Sequence, residues 1–116
     1  MSFAGIGASF ASTLDGDAIE NLVSGKKVYL KIPIGGEFPL RYGENGIVKG
    51  DGSAVGLGRF FAPKDQGKWW VRNDQLCQQW TEWYKGKTTC FAISDLEGKN
   101  FRWKRTDGRE GEGRIE

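Results

Sequence analysis

The sequence predicts an all-β domain with one short N-terminal helix. The strands read as a mainly antiparallel meander, a small barrel or sandwich of about eight strands. Three observations carry this. From Lys26 onward apolar residues recur at every second position, the period of a strand with one face buried. The alternating runs are short, and turn residues separate them. Only one segment, early in the chain, has helical spacing instead.

At 116 residues the chain has the length of a single domain. Residues 1–13 read as a flexible N-terminal segment and residues 14–116 as the β domain. The opening MSFAGIGASFASTL is small and uncharged up to Asp15. It lacks the basic start and longer apolar run of a complete signal peptide. It fits the tail of a signal region, the start of an exported chain, or an ordinary frayed terminus.

The helix is expected in GDAIENLVSG. Asp15 or Asp17 caps its free amides, Ile19, Leu22 and Val23 share a face, and Gly25 ends it. KKVYLKIPI then places Val28, Leu30 and Ile32 on one face, and FPLRY does the same for Phe38, Leu40 and Tyr42. Gly43 to Gly46 is a turn, and Asp51-Gly52 is a strong hairpin signal. VGLGRFF, GKWWVR, QLCQQW, KTTCFAIS, NFRWKR and GEGRI follow as strands. Glycine is frequent, 18 residues against 3 prolines, and reads as tight turns between strands.

The segment GKWWVRNDQLCQQWTEWYKGKTTC holds four of the five tryptophans and both cysteines. With Asn73-Asp74 as a two-residue turn, Val71 faces Leu76, Trp70 faces Cys77 and Trp69 faces Gln78. A second turn near Trp83-Tyr84 sets Cys77 opposite Cys90 and Leu76 opposite Phe91. One register then gathers Trp69, Val71, Leu76, Phe91 and Ile93 on a core face and puts the cysteines side by side on the other. A cross-strand disulfide between Cys77 and Cys90 is the expectation, with two free buried thiols as the alternative. A disulfide implies an oxidising compartment, so a periplasmic or secreted protein. The chain has no His, and two cysteines alone do not make a zinc site; no metal and no cofactor are expected.

Trp69, Trp80, Phe91, Phe101 and Trp103 read as core, as large aromatics at alternating positions usually are. Trp83 and Tyr84 at a turn, with Trp70, Arg72 and Arg102 on the outward face, form the candidate contact surface. The motifs G-x-W-x-V at Gly67–Val71, L-C-x-x-W at Leu76–Trp80 and C-F-x-I at Cys90–Ile93 resemble a pattern in small exported β domains of alphaproteobacteria. LDGDAIENLVSGKKV is similar to the start of those domains. The resemblance covers about Leu14 to Arg109 and implies export, a disulfide and a β-rich fold, but no reaction. The doubled Trp69-Trp70 and the stretch Ala62 to Gln66 depart from the pattern.

Without His, neither a Ser-His-Asp nor a Cys-His arrangement can be built. The carboxylate pairs Glu37 with Glu44 and Asp51 with Asp65 have no spacing that favours catalysis over a solvated surface. GDGSAVGLG lacks the strand-loop-helix setting and Lys-Ser/Thr ending of a phosphate loop. A net charge of +2 is too small to indicate nucleic acid or a membrane surface by itself, and no apolar run is long enough to span a bilayer. The first functional expectation is a non-catalytic, exported, monomeric binding module of the bacterial envelope, with a protein or glycan partner. Two alternatives stand beside it. One is a small barrel binding single-stranded nucleic acid through Lys99 to Arg109, where five basic residues interleave with Phe101 and Trp103. The other is a small-ligand carrier with a cavity inside a barrel.

Overall fold

The computed structural model describes residues 13–33, 35–52 and 64–116. Among these, a short helix α1 (Gly16–Val23) precedes eight strands: β1 (Lys26–Lys31), β2 (Glu37–Tyr42), β3 (Ile47–Asp51), β4 (Lys64–Arg72), β5 (Gln75–Trp80), β6 (Thr88–Glu97), β7 (Asn100–Arg105) and β8 (Glu110–Ile115). Each strand pairs antiparallel with the next, and β1 pairs with β8, so the meander closes into a barrel. The expected all-β fold with one helix is therefore what forms, as a barrel and not a sandwich.

The helix begins where the sequence places it. The Asp15 carboxylate accepts a hydrogen bond from the Ala18 amide at 2.9 Å. After the Ser24 cap, Gly25 turns left-handed at φ +75°, and its amide bonds the Tyr42 carbonyl at 2.7 Å. A helix this short has little stability alone. It is held by Ile19 and Val23, which are fully buried against the barrel, and by the Gly16 amide, which donates to the Asp74 carboxylate at 2.7 Å. The helix packs on β1, β4 and β5 and closes one end of the barrel. Thr13 bridges Ser94, and the Leu14 amide donates to the Ile93 carbonyl at 2.8 Å, so the chain is attached to β6 before the helix starts.

The tryptophan and cysteine segment takes the register read from its sequence. Val71 pairs with Leu76, Trp70 with Cys77, Trp69 with Gln78, Leu76 with Phe91 and Cys77 with Cys90. Asn73 and Asp74 both adopt positive φ, 52° and 57°, as a two-residue hairpin with this twist requires. Cys77 and Cys90 form a disulfide on the outer wall, with Trp70 the direct neighbour of Cys77. Inside, Trp69, Leu76, Trp80, Phe91, Ile93 and Phe101 are buried, and Trp103 is partly buried against them.

Two expectations change. Asp51-Gly52 is not a tight hairpin: Asp51 pairs directly with Lys64, so residues 52–63 connect the strands. The expected strand VGLGRFF lies outside the described residues. The high glycine content also has a second cause beyond turns. Gly50, Gly67, Gly111 and Gly113 lie inside strands, in the series that faces the interior. A Cβ at Gly111 would sit 2.6 Å from the Trp103 ring, one at Gly113 2.6 Å from Phe101, and one at Gly50 2.7 Å from Trp83. A Cβ at Gly67 would run into the Gln79 backbone. Small barrels fit their taper by setting small residues against large ones, and here glycine supplies the space that indole and phenyl rings occupy.

Two stability predictions follow from this packing. Gly111→Ala forces the Trp103 ring to move and should cost about 1–3 kcal/mol in a denaturant melt; wild-type stability would show that the ring has slack. Replacing both Cys77 and Cys90 with Ser should cost ~3 kcal/mol, the loop-closure value for a bridge of this span. Free alkylation of both thiols in unreduced, denatured protein would refute the bridge.

Candidate ligand site at the barrel mouth

The two ends of the barrel differ. The helix closes the end that carries the β2–β3 and β4–β5 turns. At the other end, where the β1–β2, β5–β6 and β7–β8 connections lie, the interior opens into a cavity of about 580 Å³. This lies within the size range of sites that hold a small organic molecule. Leu30, Phe38 and Leu40 form one side of its wall, and Trp80, Phe91 and Trp103 the other.

Trp83 comes from the 3-10 turn Trp83–Gly86 between β5 and β6. The Asp65 carboxylate, on the inward series of β4, accepts from the Glu82 and Trp83 amides at 2.8 and 2.9 Å. Thr81 is fixed to the Gln66 carbonyl through both its amide and its hydroxyl. These bonds fold the turn back over the mouth. The Trp83 ring packs on Trp80 at 4.6 Å and edge-on to Phe38 at 5.5 Å. Tyr84 and Lys85 then sit in the left-handed region, both at φ 57°. That conformation is uncommon for residues with a Cβ, and it persists only where surrounding structure enforces it.

Three polar features mark the interior. Gln78 is buried on the inward face between Leu76 and Trp80, and its side-chain oxygen accepts from the Tyr42 hydroxyl at 2.6 Å. Burial pushes the Tyr42 phenol far above its ordinary range, so it stays a neutral donor. The indole N–H groups of Trp80 and Trp103, both cavity-lining residues, are buried and have no hydrogen-bond partner among the described residues. The Thr89 hydroxyl, paired across from Gln78, is also without a partner. Buried polar groups are nearly always satisfied, so these groups are unusual; Trp80 and Trp103 line the cavity, and Thr89 lies on the adjoining depression.

The rim is charged. Arg105 follows Phe101 and Trp103 in the inward series of β7. It donates from Nε and Nη2 to Asp107, at 3.1 and 2.6 Å, and its guanidinium lies 5.3 Å from the Tyr84 ring centre. These hydrogen bonds, with one from the Arg109 amide, hold the Asp107 carboxyl at about 2. Among the described residues Arg109 and Lys31 complete the cations of the lining, and Glu110 is its one carboxylate.

The residues expected to form one contact surface do not come together. Trp70 and Arg72 lie on the outer wall of β4, beside the disulfide. Arg102, three strands away on β7, is paired with Glu112 at 3.2 Å and Glu110 at 3.8 Å. Trp83 is turned inward, and only Tyr84 stands exposed at the rim. Phe101 and Trp103 of the basic strand face the interior, so they offer no stacking surface outside. Of the carboxylates weighed for catalysis, Glu37 is bound by Arg114 at 2.7 and 2.9 Å and Asp65 by backbone amides. Among the described residues no cluster of three or more Asp, Glu, Cys or His could hold a metal. No described helix is long and apolar enough to cross a membrane.

Gln78 and Arg105 are the site residues that the sequence reading passes over. Their signal is present: each is a polar residue in phase with the apolar face of its strand. Larger depressions of about 850 and 780 Å³ lie on the outer wall. In the first, Glu37 is paired with Arg114, and Glu112 with Lys31 and Arg102. Comparison with protein families, curated proteins and solved structures finds no match to this chain.

The Asp107 carboxyl gives a pH prediction. Its value lies below the ordinary 3.8, so its contribution to the β7–β8 turn is complete above that pH and is lost as pH falls through about 2. A carbon-detected titration of the Asp107 carboxyl should show a midpoint near 2; a midpoint at the ordinary value would remove the Arg105 pairing from solution.

Proposed function

We propose that this protein is a non-catalytic, exported binding module of the bacterial envelope that carries a small ligand in the mouth of its barrel. The observation that carries this reading is the cavity itself. Eight strands enclose an interior just wide enough to be filled by side chains or to hold one small molecule. Here one half is packed and the other is open, lined by Trp80, Trp83, Phe91 and Trp103 with Gln78 and Arg105 among them. A few polar groups in an apolar pocket are the usual composition of a ligand site.

The disulfide supports export, because such bonds persist in oxidising compartments. A flat protein or glycan interface has less support. Among the described residues the exposed large apolar side chains are Tyr84 and Leu96, at opposite ends of β6, and they form no shared patch.

An uncharged fluorophore, N-phenyl-1-naphthylamine, tests the site without bias from charge. It should bind saturably at one molecule per chain, with its emission raised by the apolar wall. Leu30→Trp, which fills the mouth, should weaken binding at least tenfold while leaving the fold intact by circular dichroism. Absence of saturable binding, or equal binding by the filled variant, would remove the cavity as the site.

A further inference from the structure

Resting on the reading of the mouth as a ligand site, we propose that its ligand is an apolar monocarboxylate. Its hydrocarbon or aromatic body lies among Trp80, Trp83 and Trp103, and its carboxylate lies at the rim on Arg105 and Arg109.

The inference comes from an apolar wall beneath a cationic rim. The indole N–H groups of Trp80 and Trp103 have essentially no accessible surface, so they offer a ligand no polar contact. Gln78, whose oxygen is engaged by Tyr42, is the one uncharged amide of the described lining. The body of a ligand that fits this wall is therefore apolar, and its polar end lies at the rim. A polyol would bring its hydroxyls to a wall that cannot match them, and an ammonium compound would meet the rim's cations.

The charge at the rim selects that polar end. Arg105, Arg109 and Lys31 line the mouth with Glu110; Lys31 and Glu110 are held by Glu112 and Arg102 of the outer wall, and Asp107 pairs with Arg105 and lies 3.9 Å from Arg109, so Arg105 and Arg109 are the cations that face a ligand. The adjoining depression, which shares Tyr84 and Arg105 with the cavity, adds Lys85 and Lys87 and no further acid beyond Asp107. Arg105 is the fixed part of this arrangement. Its side chain is only 14% exposed, and Asp107 grips it through Nε and Nη2, leaving Nη1 outside that pair. Arg109 is the adaptable part, with its side chain 76% exposed. A planar fork held in place is the geometry that receives a carboxylate through two hydrogen bonds. A group with greater charge, such as a phosphate, would have to satisfy its extra charge in a wall that is otherwise apolar.

The test uses matched acids and alcohols: decanoate against 1-decanol, and 2-naphthoate against 2-naphthalenemethanol. Binding to the intact, disulfide-bonded protein is followed by amide and indole N–H chemical shifts. The acids should shift the Trp80 and Trp103 indole resonances and bind at least tenfold more tightly than the alcohols. Arg109→Ala, at an exposed position, should reduce acid affinity about three- to tenfold and leave alcohol affinity unchanged. Arg105→Lys, which keeps the charge and loses the fork, should do the same. Equal affinity for acid and alcohol would overturn the carboxylate assignment while leaving the cavity as a ligand site. Binding by neither series, or shifts confined to the outer wall, would overturn both.

Discussion

Three residue pairs, Val28 with Ile115, Tyr29 with Arg114 and Leu30 with Gly113, join the first strand to the last. Closure removes the open edges that would otherwise recruit further strands, and it also fixes the volume inside. Once the ring is shut, every inward side chain must fit a space set by eight strands. The aromatic content of this chain exceeds what such a ring could hold if every inward position carried a Cβ. Glycines within β3, β4 and β8 resolve the conflict by giving their share of the interior to Trp83, Trp103 and Phe101. The unequal ends result from the same constraint. Ile19 and Val23 of the helix complete the packing at one end, and the other is left to a turn held by Asp65.

The sequence is most legible where two independent patterns agree. Between Trp69 and Ile93 the alternation of large apolar residues, the Asn73-Asp74 turn and the cysteine positions all select one register, and a shift by one residue would break all three. The same holds for Asp15, whose short carboxylate before Ile19 and Val23 specifies where a helix begins. Legibility fails where a local signal has a non-local competitor. Asp51-Gly52 has hairpin chemistry, but the pairing of Asp51 with Lys64 outweighs it. Trp83 sits beside a turn and so looks exposed, yet its direction depends on Asp65, a residue 18 positions earlier. Glycines that face inward cannot be told from turn glycines by composition; only their phase with neighbouring strands separates them.

The polar members of the mouth show a different limit. Gln78 and Arg105 each keep strict phase with apolar neighbours, and a reading that sorts strands into an apolar inside and a polar outside treats them as exceptions. A buried polar residue is the informative observation in a core. Gln78 is satisfied by a single hydroxyl, that of Tyr42, and Arg105 by a single carboxylate, that of Asp107. Each is oriented by a neighbour that does not itself belong to the cavity wall, so the polar character of the mouth rests on Tyr42 and Asp107 as much as on the residues that face it.

The disulfide has a consequence beyond the stability of the chain. Cys77 and Cys90 stand near the root of the β5–β6 lip, close below the turn that carries Trp83 and Tyr84. A lip whose two stalks are covalently joined there cannot part by separating them. The β1–β2 and β7–β8 lips carry no such bond. Among the described connections at the mouth, the β5–β6 turn is therefore the one with covalently joined stalks, and the Trp83 and Tyr84 rings stand on its least yielding side.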